Sequence, residues 1–336
     1  MNFGKVLVTG GAGFIGSHLV DCLMNSGNEV VVLDNLSSGK LENLAKWLDD
    51  SRFKFVKGDM LKPKDIEDAI DGCEVVFHFA ANPDIRIGAV DTKVDYEQNI
   101  TATYNLLEAI RRSSACRSII FASSSTVYGE AEVIPTSEDY GPLKPISLYG
   151  ASKLACESLI SGYAHMFGFN SIIVRLANVV GLRNSHGVIY DFIRKLEQNP
   201  KKLEVLGDGT QNKSYLYIDD CIEANFIAVK NTYDSVEIYN IGSDDKVDVL
   251  TIAKIVAKEM DLNEVKIYKT GGVDGGRGWK GDVKEMFLDI SKLKRLGWKP
   301  KYSSAEAVRL AVKDILSELE KRKRVTREPR NRRETP

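Results

Sequence analysis

The first half of the chain alternates short runs of β-branched and aliphatic residues with longer stretches of helical spacing. The apolar runs lie at 5–9, 29–33, 53–56, 75–79, 118–122 and 171–175, and helical stretches begin at Phe14, Leu41 and Lys64 or span 95–112 and 149–167. Continuous apolar strands need cover on both faces, which the helices between parallel strands supply. The pattern therefore predicts an α/β fold built on a doubly wound parallel sheet.

Beyond about Asn178 the alternation loosens into short strands, glycine-rich turns and separate helices. The helices are predicted near 188–198, 219–230, 249–260 and 305–322, and the turns at 207–209, 271–272 and 275–276. A chain of 336 residues also exceeds the roughly 250 to 300 residues at which a single core stops growing. We therefore predict a sheet domain from 1–177 plus about 217–245, and a smaller mixed α/β lobe from about 178–216 plus 246–322.

Charge is concentrated at the C-terminus. The formal net charge is −1, yet the last sixteen residues carry eight Lys or Arg against Glu328 and Glu334, a local charge of +6. Because this end also has Pro329 and no apolar periodicity, 323–336 is predicted to be a disordered, solvated tail. We expect neither nucleic acid nor a membrane as a partner.

Cysteine and histidine give no sign of a metal or a disulfide framework. The five cysteines are scattered, odd in number and never spaced Cys-x-x-Cys. The four histidines (His18, His78, His165, His186) lie far apart, so structural roles are expected for each and no metal is predicted. No apolar run approaches the eighteen residues of a membrane span and no signal-peptide pattern opens the chain, which leads us to expect a cytoplasmic protein.

A glycine run follows the first strand and opens the first helix. It places Gly10, Gly13 and Gly16 where a turn can hold a dinucleotide diphosphate, the arrangement of a Rossmann fold. Asp34 ends the next strand, where a carboxylate binds ribose hydroxyls and repels a 2′-phosphate, so NAD is predicted rather than NADP. Asp59 follows the third strand and is placed to meet the adenine, or it is a turn residue.

Two further motifs indicate chemistry at that cofactor. Tyr149 and Lys153 lie four residues apart on one predicted helix, so the phenol and the ammonium share a face. A phenol titrates near pH ~10 and needs nearby positive charge to act as a base at neutrality. The strand at 118–122 also delivers a hydroxyl cluster, Ser123 to Thr126, to the carboxyl edge of the sheet, where ligands bind in such folds.

The Gly-x-x-Gly-x-x-Gly spacing and Tyr149-x-x-x-Lys153 resemble the extended branch of the short-chain dehydrogenase/reductase superfamily, over nearly the whole chain. The segment from Ser123 to Gly129, Ser-Ser-Ser-Thr-Val-Tyr-Gly, resembles the corresponding segment of the UDP-galactose 4-epimerases, which belong to this superfamily. The runs at 81–86 and 277–282 resemble archaeal members of the epimerase family. The resemblance implies that Tyr149 is the acid/base, that Lys153 holds the nicotinamide ribose and lowers the Tyr pKa, and that Ser124 bonds the sugar O4. It also implies a homodimer formed through the helices near 95–112 and 149–167.

The resemblance implies two sets of contacts. Those to NAD are Gly10, Gly13, Phe14, Ile15, Gly16, Asp34, Asn35, Asp59, Met60, Phe79, Ala80, Ala81, Asn99, Tyr149 and Lys153. Those to a UDP-sugar are Ser124, Thr126, Tyr149, Asn178, Val188, Lys213, Arg277 and Asp282. Lys213 stands where an Arg is usual and loses the bidentate fork, and either Arg277 or Lys280 could reach the diphosphate.

The strand-end segment also separates reactions. Sugar-nucleotide 4,6-dehydratases carry Thr-Asp-Glu where this chain has Ser124-Ser125-Thr126, and elimination of water needs an acid and a base there. The expectation is reversible C4 epimerisation of UDP-galactose and UDP-glucose with tightly held, recycled NAD. Alternatives are a 4-epimerase for a UDP-N-acetylhexosamine or a UDP-pentose, a UDP-glucuronate decarboxylase, or a non-enzymatic NAD-binding sensor. Met286 lies near the position that limits access of an N-acetyl group in the family, and its size leaves the acetamido question open. The base, uridine or thymidine, also stays open.

Overall fold

The computed structural model describes residues 2–231 and 235–327, and within these ranges seven parallel strands form the main sheet. In chain order its strands are β1 (Lys5–Thr9), β2 (Glu29–Asp34), β3 (Phe53–Lys57), β4 (Val75–His78), β5 (Ser118–Ser124), β6 (Asn170–Leu176) and, later in the chain, Val236–Ile241. Their spatial order runs from Val236–Ile241 through β6, β5, β4, β1 and β2 to β3. The predicted doubly wound sheet is confirmed.

Successive side chains along each strand point to opposite faces of the sheet, and both faces are buried. On β1, Val6 and Val8 belong to one hydrophobic cluster while Leu7 belongs to the opposite one, and Val30 and Val31 divide in the same way on β2. Both faces are apolar because helices cover both. Because all seven strands are parallel, their carboxyl ends gather at one edge of the sheet.

The helices over the sheet follow the predicted order with two local differences. Their bounds are α1 (Phe14–Asn25), α2 (Pro63–Ile70), α3 (Lys93–Asp95), α4 (Ala102–Arg112) and α5 (Leu148–Phe167). Leu41–Trp47 is a 3-10 helix rather than the α-helix expected there, and its start is tied down because Lys40 N and Asn43 Nδ2 both donate to Ala12 O. Between α3 and α4, Tyr96–Thr101 forms a π-helix, so the predicted helix at 95–112 changes its hydrogen bonding along its length.

The later part of the chain adds shorter sheets and four long helices to the described structure. Its strands are β7 (Asn178–Val180), β8 (Lys202–Val205), β9 (Asn212–Lys213), β10 (Tyr215–Tyr217), β11 (Val236–Ile241, in the main sheet), β12 (Val247–Asp248), β13 (Lys266–Lys269) and β14 (Glu285–Met286). Its helices are α6 (Val188–Gln198), α7 (Ile218–Lys230), α8 (Val249–Glu259), α9 (Ser291–Arg295) and α10 (Ser304–Arg327). Side chains from α6, α8 and α10 form a third hydrophobic cluster, which gives this part a core of its own. The exact domain boundaries stay a prediction.

The C-terminal helix corrects the predicted tail. Helix α10 continues to Arg327, so the first part of the segment 323–336, predicted to be disordered, is helical. Lys and Arg have high helix propensity, and positive charge near a helix C-terminus interacts favourably with its dipole. The rest of the prediction, for 328–336, lies outside the described residues. Within the described ranges, we find no helix that combines the length and apolarity of a membrane span.

Candidate active site

A cavity of about 480 Å³ opens at the carboxyl edge of the sheet and extends to β9, α6 and the segment around Trp279. The predicted site residues that line it are Gly10, Gly13, Phe14, Ile15, Gly16, Asp34, Asn35, Asp59, Met60, Phe79, Ala80, Ala81, Ser124, Tyr149, Lys153, Asn178, Val188, Lys213 and Asp282. The fold therefore brings nearly all of them to one place. Three predicted contacts, Asn99, Thr126 and Arg277, lie outside the cavity lining.

The glycine turn between β1 and α1 is shaped by close backbone packing. Gly10 has φ 69°, and a Cβ there would lie 2.7 Å from Ala80 N. A Cβ on Gly16 would lie 2.2 Å from Gly10 O, whereas one on Gly13 would meet only that oxygen, at 3.2 Å. Gly13 is the N-cap of α1 and has no side chain to satisfy the first helical N–H groups. This bare helix N-terminus at the cavity fits a dinucleotide diphosphate.

Asp34 is held rigidly at the end of β2. Its Oδ2 accepts a hydrogen bond from Ala12 N at 3.0 Å and its Oδ1 accepts one from Leu36 N at 2.8 Å. Burial raises the pKa of the Asp34 carboxyl, while these two bonds oppose the rise. Each carboxylate oxygen can accept further bonds, so the side chain fits a ribose diol.

Asp59 and its neighbours close the far end of the cavity. Asp59 Oδ1 accepts from Leu61 N at 2.9 Å, and Asp59 N donates to Asp65 Oδ2 at 2.8 Å. Its carboxylate therefore supports the turn after β3 and also lines the cavity with Met60. The turn role and the predicted adenine contact are compatible, and the contact stays a prediction.

Tyr149 and Lys153 enter the cavity from the first turns of α5. Ser147 caps this helix by accepting from Gly150 N at 3.1 Å. The Lys153 side chain is only 3% exposed, donates from Nζ to Ala122 O at 2.8 Å, and places Nζ 5.7 Å from the centre of the Tyr149 ring. Burial lowers the pKa of Lys153 to about 8. Burial also raises the pKa of Tyr149 above its usual value, with a smaller contribution from the negative charge of Asp95.

Ser124 is prepared to donate a hydrogen bond into the cavity. Its Oγ accepts from Thr126 N at 3.2 Å and from Thr126 Oγ1 at 3.0 Å. A hydroxyl has two acceptor lone pairs and one proton, so these two bonds leave the Ser124 proton for a ligand. Thr126 does not line the cavity because its side chain turns towards Ser124. The structure therefore places it behind Ser124 rather than against a sugar.

Asn99 also lies one layer behind the cavity. Its side chain is buried, accepts from Asn82 N at 3.0 Å and donates to Ser152 Oγ at 2.8 Å. Ser152 Oγ in turn donates to Tyr149 O at 2.8 Å. The predicted cofactor contact is thus occupied with supporting the segment that carries Tyr149.

At the opposite end of the cavity, the charged residues pair with each other. Lys213 Nζ lies 2.6 Å from Asp282 Oδ1, and Trp279 also lines the wall. Arg277 points elsewhere: its Nη1 and Nη2 both donate to the Glu130 carboxylate, and Nη1 also donates to Asp282 O at 2.8 Å. Neither Arg277 nor Lys280 lines the cavity, so this structure does not bring the predicted late cation to the diphosphate position.

Several residues that line the cavity are not among the site residues predicted from the sequence. Among these are Lys40, Arg86, Arg183, His186 and Gln211. Met286, on which the acetamido question depends in the sequence, is 8% exposed, packs in the core and does not line the cavity.

The most deeply buried of the histidines, His78, has an environment that fits a structural role. His78 is bonded on both ring nitrogens, to Thr9 Oγ1 at 2.7 Å and Thr103 Oγ1 at 3.0 Å. Burial lowers its pKa to about 3, so it is neutral. Across the described ranges, no group of three or more His, Cys, Asp or Glu side chains could hold a metal ion, and each of the five cysteines is free.

Known proteins place this cavity in a family. A model of the NAD dependent epimerase/dehydratase family matches residues 6–242. The chain is 35% identical over 315 residues to a Methanocaldococcus jannaschii protein provisionally named a UDP-glucose 4-epimerase, covering 91% of this chain and 97% of the relative. It is 45% identical to a UDP-galactose 4-epimerase of known crystal structure, with a TM-score of 0.82 and coverage of 94% and 99%.

A further relative shows the cofactor and a different sugar. The Bacillus cereus UDP-glucuronic acid 4-epimerase, solved with UDP-glucuronic acid and NAD, is 31% identical with a TM-score of 0.84, over 94% of this chain and 99% of that one. The glycine turn and Asp34 fit the same cofactor, which is NAD. The chain is therefore an enzyme of the NAD dependent epimerase/dehydratase family, among its UDP-sugar epimerases.

Proposed function

We propose that this enzyme interconverts UDP-galactose and UDP-glucose by reversible epimerisation at C4. The observation that carries the proposal is the convergence of Ser124, Tyr149 and Lys153 on one cavity, beside a strand end that has hydroxyls and no carboxylate. This set can move a proton at a sugar hydroxyl but has no acid and base at Ser125 and Thr126 for dehydration.

The protein's part of the reaction is proton transfer and orientation. Tyr149 takes the proton from the C4 hydroxyl, and Ser124 donates its free hydrogen bond to O4. The positive charge of Lys153 favours the ionised form of the Tyr149 phenol. When bound, NAD supplies a hydride acceptor and donor, so C4 is oxidised and then reduced with no net redox change. The 4-keto sugar turns about the diphosphate linkage before reduction on its other face.

The other end of the cavity is assigned to the UDP group. Lys213 supplies a cation and Asp282 a carboxylate suited to ribose hydroxyls, with Asn178 and Val188 completing the wall. The Lys213–Asp282 pair, in which the carboxylate is buried and the lysine partly exposed, is preorganised because each side chain holds the other in place. Arg277 would have to leave Glu130 to take part.

The ion pairs of Arg86 in the cavity wall favour a neutral hexose over a uronate. Arg86 is the cation of the loop after β4, and it is paired with Asp84 at 3.1 Å and Asp191 at 3.4 Å. A uronate would bring a third carboxylate to this wall. Its affinity would depend on displacing one of those pairs.

We also propose a homodimer that works in the cytoplasm. Large apolar side chains are exposed along the helices predicted to pair, namely Tyr96, Tyr104, Met166 and Phe167. Exposed apolar surface of this kind is typical of protein interfaces. The five free cysteines suit a reducing compartment.

The test is turnover of UDP-galactose by Tyr149→Phe. The variant should retain NAD but lose turnover by about 100-fold or more, because the general base is gone. The matched control is Tyr268→Phe, which removes the phenolic hydroxyl from a half-exposed residue of β13 outside the cavity and should leave turnover unchanged. Wild-type turnover by Tyr149→Phe would contradict the proposal.

A further inference from the structure

A buried carboxylate lies behind the catalytic pair and is joined to the backbone of Tyr149 through Asn99 and Ser152. Asp95 ends α3 and is 1% exposed. Its Oδ1 accepts from Asn82 Nδ2 at 2.9 Å, and more weakly from Asn99 Nδ2 at 3.5 Å. Its Oδ2 is buried and has no hydrogen-bond partner in the described part of the chain. An unsatisfied buried carboxylate oxygen is costly and calls for an explanation.

The backbone around Asp95 excludes other groups from that oxygen. A Cβ on Gly88 would lie 2.3 Å from Asp95 Oδ2, so only a glycine allows the 3-10 turn at Ile87–Ala89 to close over it. The π-helix Tyr96–Thr101 follows at once, and such turns concentrate at functional sites. Its Asn99 joins Asp95 to Ser152 and through it to the backbone of Tyr149.

The other groups that face the pair do not replace Asp95. From α5, Cys156 is a buried thiol with a raised pKa, and Glu157 is neutralised by Arg175 at 2.7 Å. From β4 comes the neutral imidazole of His78. Asp95 and Glu157 are the described carboxylates whose charge acts on Tyr149 or Lys153, and of the two Asp95 has no ion-pair partner within salt-bridge distance.

We propose that Asp95 is a supporting residue of the reaction, whose unpaired carboxylate sets the charge balance between Tyr149 and Lys153. Its negative charge disfavours tyrosinate and favours ammonium. It thereby keeps Lys153 charged against the effect of burial, and it opposes the effect of the Lys153 charge on Tyr149. This inference rests on the proposed roles of Tyr149 and Lys153, but it does not depend on which sugar is the substrate.

The consequence has a defined sign. Removal of the charge by Asp95→Asn should lower the pKa of both groups, because each loses the same negative neighbour. The two groups titrate as a coupled pair, so both limbs of the pH–rate profile should move to lower pH. A purely structural role would lower the rate without moving the limbs.

The experiment uses the NAD-bound enzyme and two measurements. The first titrates Tyr149 by tyrosinate absorbance, as the difference between each protein and its Tyr149→Phe counterpart, which needs no turnover. The second is the pH profile of kcat on UDP-galactose. In Asp95→Asn we expect both to shift down by about half a pH unit or more. A failed sugar assignment would remove only the second readout.

The matched control is Asp220→Asn. Asp220 is also buried, has an unpartnered Oδ1 among the described atoms and accepts from Lys301 N at 2.9 Å, outside the cavity lining. It should leave both readouts in place. Unmoved readouts in Asp95→Asn, or an equal shift in Asp220→Asn, would overturn the proposal. Should Asp95→Asn fail to fold, the smaller neutral variant Asp95→Ser must show the same downward shift of Tyr149.

Discussion

Replacement of Lys153 by Met should make the cofactor-free protein more stable while it abolishes turnover. Lys153 is 3% exposed and burial lowers its pKa from the usual 10.5 to about 8. That change corresponds to about 3 kcal/mol for keeping the ammonium charged in the folded state at pH 7. Met removes the charge but also the bond that the ammonium donates to Ala122 O, and a bond of a charged donor is worth about 1.5 kcal/mol or more. The expected net gain is about 1 to 2 kcal/mol.

The pH dependence gives this prediction its sign. Between pH 8 and 10.5 the unfolded chain holds the Lys153 proton while the folded protein has lost it, so the stability contributed by this group rises with pH across that window. The wild type therefore recovers what Lys153→Met gains. The difference between the two proteins should shrink by about 2 kcal/mol from pH 7 to pH 9.5.

Urea unfolding of both proteins, stripped of dinucleotide and followed by tryptophan fluorescence at the two pH values, measures the difference. The conservative variant Lys153→Arg stays charged at both pH values, so it cannot gain stability with pH as the wild type does. It should therefore lose about 2 kcal/mol of stability relative to the wild type from pH 7 to pH 9.5. A Lys153→Met protein that is less stable than wild type by the same amount at pH 7 and pH 9.5 would refute the reasoning.

Three further changes test other parts of the site. Thr126→Val removes one of the bonds that orient Ser124 and should lower kcat about 10-fold with NAD binding unchanged, whereas Thr126→Ser should retain activity in the same steady-state assay. Gly16→Ala would put a Cβ 2.2 Å from Gly10 O and should lower thermal stability and NAD occupancy. Its control is Gly162→Ala in α5, where a Cβ meets open space, and this change should raise the free energy of unfolding by about 1 kcal/mol. Glu157→Gln breaks the buried pair with Arg175 and should cost about 3 to 5 kcal/mol in denaturant unfolding; a loss below 1 kcal/mol would contradict a strongly coupled pair.

The sequence predicts the elements whose signal is local. The apolar runs predict the positions of all the strands of the main sheet except the last, for which the sequence indicates only that about 217–245 returns to the sheet domain. The helix at Val188–Gln198 has the predicted bounds. The glycine turn, Asp34 and the Tyr149–Lys153 pair were also predictable, since each is a short motif attached to a strand end or a helix start.

The directions of several site side chains could not be predicted, because they depend on contacts that no local sequence pattern reveals. Arg277 is drawn to Glu130, which lies 147 residues away in the chain, and Thr126 turns back onto Ser124. The π-helix at Tyr96–Thr101 interrupts a segment whose apolar spacing indicates an ordinary helix. Asp95 carries no motif, and its isolation became visible only when the fold brought Gly88 and Asn82 against it.

The central claim is tested most directly by incubating the purified enzyme with UDP-galactose, without added NAD, while resolving the sugar nucleotides and following absorbance for NADH. We predict that UDP-glucose appears without accumulation of NADH, because the hydride returns to the sugar in every cycle. Absence of conversion by protein that holds NAD would contradict UDP-galactose as the substrate, and NADH accumulating in step with the product would contradict epimerisation.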